Sequence, residues 1–205
     1  MRRIILACLV LLLAACAGGG SAVSNVGYYD FGPVRRADGQ APQLALRGVD
    51  VHAPSWLDTP ALQYRIAYAS DARRLSYAES RWVAQPAELL QSMLQRRLVV
   101  STAIASSTGT GNGCRLRIDL DEFVQFFDKP TSSSVQLDVR ASVLQAAGVA
   151  PLARQSFSIV RPTTTADAPG AIAAFGAAAE SLTVALLDWL DSPAVQEAAL
   201  RCKVG

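Results

Sequence analysis

Residues 114–121 read Cys-Arg-Leu-Arg-Ile-Asp-Leu-Asp, and residues 135–143 read Val-Gln-Leu-Asp-Val-Arg-Ala-Ser-Val. In both runs an apolar side chain alternates with a polar one. Successive side chains of an extended chain point to opposite faces, so this period of two marks a strand with one face buried and the other wet. Cys114, Leu116, Ile118 and Leu120 share one face, while Arg115, Arg117, Asp119 and Asp121 share the other. The alternation slips at Glu122 and Phe123, which predicts a bulge. Lys129, Pro130, Thr131 and Ser132 supply a turn between the two strands, and a second turn around Gly148 and Pro151 leads into a third strand over residues 154–160. Three strands joined by short turns form an antiparallel meander.

Outward from the meander, residues 44–52 read as a strand with Leu44, Leu46, Val49 and Val51 facing inward, ended by Pro54. Residues 63–68 and 73–77 flank Ala69, Ser70, Asp71 and Ala72, which reads as a hairpin turn. Pro86 is suited to open a helix, since its missing N–H is one the first turn leaves unpaired, and Glu88 then lies against the positive end of the dipole. Leu89, Leu90, Met93, Leu94 and Leu98 recur at helical spacing and extend that helix over 86–99. Residues 106–113 form a Ser/Thr/Gly/Asn loop. On the C-terminal side, Ile172, Phe175, Ala179, Leu182, Leu186 and Trp189 are spaced three or four apart in an Ala-rich run over 169–189. They predict a long helix whose apolar face packs on the sheet or on another subunit, followed by a short helix after Pro193 that carries Cys202. The fold class that fits is α/β: a single mixed β-sheet, largely antiparallel, layered with two main helices.

The chain has 205 residues, 51% of them hydrophobic and 18% charged. Met1, Arg2 and Arg3 precede an apolar run over 4–13, then Ala14, Ala15 and Cys16, the pattern of a secretory signal peptide over 1–15. The run stops well short of the roughly 20 residues that span a bilayer. The tetrad Leu13, Ala14, Ala15, Cys16 resembles a bacterial lipobox. That resemblance implies a diacylglycerol thioether and an N-acyl group on Cys16, and no other cofactor. Residue 17 is Ala; an Asp there would resemble the signal that retains such lipoproteins on the inner membrane, so outer-membrane anchoring is expected. Residues 16–27 make a lipidated, flexible tether, and 28–205 the folded domain. Of the 19 basic residues Arg2 and Arg3 leave with the leader, so 17 of each sign remain. A neutral chain lacks the basic excess that displaces counterions from nucleic acid.

Cys8 is lost with the leader and Cys16 is consumed by lipid, leaving Cys114 and Cys202 in an oxidising compartment. A disulfide between them is expected, with two free thiols or pairing between chains as the alternatives. Closing so long a loop would stabilise the fold by roughly 4 kcal/mol in the chain-entropy model.

Catalytic patterns are lacking. No Gly-x-Ser-x-Gly elbow occurs, and a Ser-His-Asp triad would have to use the single histidine, His52, at a strand end. The glycines at 109, 111 and 113 precede a strand, whereas a phosphate cradle needs a helix N-terminus after it. Asp119, Asp121 and Glu122 have Arg115 and Arg117 beside them, which points to a solvated, charge-compensated strand face and not to a metal site. The aromatics are more distinctive. Trp56 and Leu57 follow Pro54 in a turn, with Tyr64 and Trp82 nearby in sequence; these four are candidates for contact with a partner, against the default of core packing.

The same stretch carries a family resemblance. Val49, Val51, Pro54, Trp56, Leu57, Asp58, Pro60, Tyr64 and Arg65, then Arg81, Trp82, Pro86, Glu88 and Leu89, resemble the ABC-type transport auxiliary lipoproteins, and Tyr28, Tyr29, Asp30, Phe31, Gly32 and Pro33 resemble that family's opening strand. The resemblance implies an α/β layered domain without enzymatic activity, held at the outer membrane in a system that moves lipid between the two membranes. The partners it implies are an MCE-domain protein forming a hydrophobic conduit and an ABC permease with its ATPase. Were the chain to form a homo-oligomer, several copies could ring the conduit. A structural or assembly lipoprotein of the envelope is the alternative.

Overall fold

Leu120 pairs with Val139 across the sheet and Glu122 pairs with Asp138, so Asp121 stands without a partner residue opposite it. This is the predicted bulge, and it sits in the middle of the longest strand. The computed structural model describes residues 25–33, 44, 46–99, 113–145 and 148–203. Within them lie β1 (Gly27–Tyr29), β2 (Leu46–His52), β3 (Ala61–Ile66), a single helical turn α1 (Ala67–Ser70) and β4 (Asp71–Trp82). Then follow α2 (Pro86–Leu94), β5 (Cys114–Lys129), β6 (Ser132–Gln145), β7 (Pro151–Pro162), α3 (Ala168–Leu190) and α4 (Pro193–Ala199).

All seven strands form one mixed sheet in the order β1-β4-β3-β5-β6-β7, with β2 also paired to β5. The meander β5-β6-β7 is antiparallel, as the alternating sequence dictates. β5 is long enough to take two partners end to end on its other side. β2 pairs with its first half, Val51 opposite Ile118, and β3 with its second half, Arg65 opposite Phe126, both parallel. The chain therefore runs along one edge of β5, leaves it between residues 53 and 60, and returns.

The bulge reverses which side chains face inward. Leu116, Ile118 and Leu120 are buried before it, and Phe123 after it. Without the extra residue, Phe123 would point to solvent. It stacks instead on Phe175 of α3, with ring centroids 4.0 Å apart, and meets the edge of Trp82 at 5.6 Å. Such pairs contribute about 0.5–1.5 kcal/mol beyond the area they bury.

The helices cover one face of the sheet, α3 over β6 and β7 and α2 against β2. Asp167 starts α3 by accepting the Gly170 N–H at 2.9 Å, and Pro169 stands in the first turn. Ala171, Ala174, Ala178 and Ala179 bring the helix close to the strands, where Phe175, Leu182 and Leu186 are buried. α3 is long and apolar enough to cross a membrane by composition, yet half of its most apolar window is buried in this fold.

Two local expectations are corrected. The segment at 69–72 is not a tight hairpin turn: residues 67–70 make one helical turn, and β4 already begins at Asp71. The helix opened by Pro86 is regular only to Leu94, after which residues 95–99 wind more widely, in an i to i+5 turn. Leu98 is buried all the same.

Candidate docking surface

The excursion between β2 and β3 holds Trp56 and Leu57, and it treats them oppositely. Leu57 N–H donates to the Pro54 carbonyl at 2.9 Å and Asp58 N–H to that of Ser55 at 3.3 Å, two successive overlapping turns. Leu57 is turned into the core at 1% exposure, while Trp56 stands out at 58%. Of the four sequence candidates Trp56 is the one left largely in water, on a turn closed by two backbone hydrogen bonds.

On the sheet face that no described helix covers, a network of paired polar side chains reaches this turn. Gln63 Nε2 donates to the Trp56 carbonyl at 3.1 Å, and Gln63 Oε1 accepts from Arg74 Nη1 at 2.7 Å. Arg74 Nη2 then donates to both oxygens of Glu122, which also accepts from Arg65 Nη2 at 3.2 Å and from the Phe123 N–H at 3.0 Å. Further along, Asp119 pairs with Arg117 at 2.8 Å and Asp121 with Arg140 at 2.7 Å. The hydrogen bond to Asp121 raises the Arg140 pKa further above its already high value. The three acids named in the sequence are thus each held by arginine, and among the described residues no group of three His, Cys, Asp or Glu could hold a metal ion.

Of the remaining sequence candidates, Trp82 is a core residue and not a contact surface. It is 1% exposed and ringed edge-on by Phe31, Phe123 and Phe175. Its place follows from a bulge in β4, where Ala61 pairs with Arg81 but Gln63 with Ser76. Its indole Nε1 has no hydrogen-bond partner among the described residues. Leu57 is likewise withdrawn from contact. Tyr64 is half-buried, its ring 4.7 Å from that of Tyr77 and 5.7 Å from that of Phe127. The structure therefore brings none of the other three candidates to the surface with Trp56.

Tyr77 belongs to a second, buried network missed from sequence. Its hydroxyl donates to Gln125 Oε1 at 2.8 Å, and Gln125 Nε2 donates to Ser133 Oγ at 2.8 Å. Burial, with smaller effects from Tyr64 and Asp167, pushes the Tyr77 phenol up to about 12. Asp167 moves the other way, its carboxyl held below the usual range by the Thr165 hydroxyl and then the Gly170 N–H.

Cys114 and Cys202, with Cα atoms 5.3 Å apart, are joined by a disulfide that ties the C-terminal turn to the start of β5. Cys16 and the tether before residue 25 lie outside the described residues, as does the glycine-rich stretch up to Asn112. A groove of about 730 Å³ runs between residues 28–33 and α3, lined by Tyr28, Phe31, Val83 and Ile172. Of its charged residues, Asp30 accepts from the Gly32 N–H and Glu180 pairs with Arg97.

Comparison with known proteins adds a family to this geometry. The model of a family described as the ABC-type transport auxiliary lipoprotein component matches residues 30–186. Among solved structures, a protein from Xanthomonas campestris is similar at a TM-score of 0.68 and 19% identity, over 84% of this chain and 98% of that one. An uncharacterized protein is similar at a TM-score of 0.60 and 12% identity, over 81% and 99%. At these identities the likeness is one of fold. No match was found among curated proteins.

Proposed function

The chain belongs to the family of ABC-type transport auxiliary lipoprotein components, and from that premise we propose that it is the non-catalytic outer-membrane component of an MCE/ABC-type system moving lipid between the inner and outer membranes. Cys16 bears the diacylglycerol and N-acyl chains. Each buried methylene adds roughly 0.8 kcal/mol, so two or three chains anchor the protein stably where one would not. Ala17 in place of Asp favours the outer membrane. Residues 16–27 give reach into the periplasm, where the domain docks the MCE-domain protein. ATP is consumed elsewhere, by the ATPase bound to the permease.

The observation that carries the docking role is Trp56, an exposed indole on a turn whose next residue is sealed in the core. Leu57 serves that surface by sealing the turn to the core, while Trp82 belongs to the core itself. Crosslinking of intact envelopes, followed by mass spectrometry of what is pulled down with the tethered protein, tests the proposal. Recovery of an MCE-domain protein is expected, and Trp56→Ala should lower that recovery by about ten-fold or more, the loss typical of a central aromatic anchor. Recovery of only outer-membrane or cell-wall components, with the MCE protein present in the input, would overturn it in favour of a structural or assembly lipoprotein.

A further inference from the structure

Gln63 is a buried glutamine, 9% exposed, on the uncovered face of a sheet. Both ends of its amide are engaged, and their orientation is dictated. Arginine can only donate, so the Gln63 atom 2.7 Å from Arg74 Nη1 must be the carbonyl oxygen, which turns the amide nitrogen toward the Trp56 carbonyl. Arg74 is in turn fixed by Glu122, which meets its Nη2 with both oxygens. Glu122 reaches that position because the bulge at Asp121 places it on this face. The order is therefore bulge, carboxylate, guanidinium, amide and finally the peptide group of the exposed indole.

We infer that Glu122, Arg74 and Gln63 are positioning residues that hold the Trp56 turn in the conformation a partner binds, without touching the partner. The inference rests on the docking role of Trp56. An anchor presented from a fixed peptide loses less conformational freedom on binding than one on a loose loop, and the saving appears as affinity. The hydrogen bond to the Trp56 carbonyl is the link of the relay that reaches the turn, and it adds to the two backbone bonds by which the turn closes itself.

Gln63→Glu, made in the full-length lipidated chain, isolates that link. It keeps an acceptor for Arg74 and removes the donor to Trp56, setting a second oxygen against the carbonyl. Gln63→Met, which removes both ends without adding charge, stands in should Gln63→Glu fail to fold. Two readouts are needed: hydrogen exchange at the Leu57 and Asp58 amides, which close the turn, and affinity for the MCE-domain protein. Exchange at these amides should rise by about three- to ten-fold, the worth of one such hydrogen bond. Exchange in β6 should not change. Affinity should fall by a similar factor, short of the loss in Trp56→Ala. Unchanged exchange at both amides in a folded variant would overturn the inference, as would faster exchange with unchanged affinity while Trp56→Ala abolishes binding. Should Trp56→Ala itself leave affinity unchanged, the docking role falls, and the exchange rates alone still decide whether Gln63 holds the turn.

Discussion

The carboxylate of Glu122 meets Arg74 Nη2 with both its oxygens, at 2.7 and 2.9 Å. The two side chains come from strands separated by β3 in the sheet, so their pairing ties β4 to the central strand β5 across the uncovered face. Both are largely sheltered from water, at 17–18% exposure of the side chain. Replacing Glu122 by Gln would leave Arg74 and Arg65 facing a neutral amide. Removing one partner of such a sheltered cluster costs more than a surface ion pair is worth, and about 2–4 kcal/mol of unfolding free energy is expected to be lost. Denaturant titration of the variant measures it, with little change in slope.

This cluster also marks where sequence reading stops. The meander was legible because period-two alternation is a local property, and so was α3, whose apolar positions recur every three or four residues. The slip at Glu122 was visible as well. Its consequence was not: that Glu122 meets two arginines on the outer face while Phe123 turns inward depends on β3 lying beside β5 and β4 beside β3, long-range pairings that no local pattern encodes. Trp82 and Trp56 looked alike for the same reason. Each is an aromatic next to a turn signal, and only the bulge in β4 and the seat of Leu57 send one inward and leave the other out.

These two tryptophans should part sharply on substitution. Trp82→Ala removes a ring packed against three aromatics and is expected to cost about 3–5 kcal/mol. Trp82→Phe should cost less, about 1–2 kcal/mol, since it keeps an aromatic ring and also deletes a buried N–H that has no acceptor among the described residues. Trp56→Ala should leave stability within about 0.5 kcal/mol, as an exposed side chain away from the core. Thermal and denaturant unfolding of the three variants checks the order.

The bond between Cys114 and Cys202 spans 88 residues. Cys202→Ser is expected to lower stability by about 2–4 kcal/mol, the usual range for a long closed loop. It should also loosen the C-terminal turn at residues 200–203 selectively, which hydrogen exchange would locate. Equal stability of oxidised and reduced protein would refute this.

Gly170 is required by space and not by backbone angle. A Cβ there would lie 2.0 Å from the Thr165 carbonyl oxygen, a backbone atom that cannot swing aside. Gly170→Ala should therefore destabilise by about 1–3 kcal/mol although Ala is the better helix former. A neutral or stabilising effect in thermal unfolding would show that the start of α3 yields more easily than its geometry suggests.

One group at the start of α3 and one behind it make stability depend on pH, the first in acid and the second in alkali. Asp167 has its carboxyl lowered below the ordinary 3.8 by the Thr165 hydroxyl and the Gly170 N–H. Its folded state holds fewer protons than the unfolded state in acid, so its contribution is complete above the unfolded value and is lost as pH falls through the folded one. Tyr77 behaves in the opposite sense. Its phenol, raised from 10.0 to about 12 chiefly by burial, stays protonated in the fold where the unfolded chain ionises. Stability is untouched below pH 10, falls as pH rises from there, and the contribution is spent once pH passes about 12. Unfolding followed against pH should show both slopes. Asp167→Asn should flatten the acid one and Tyr77→Phe the alkaline one, each leaving the other in place. An alkaline slope that survives Tyr77→Phe unchanged would assign that limit to another group.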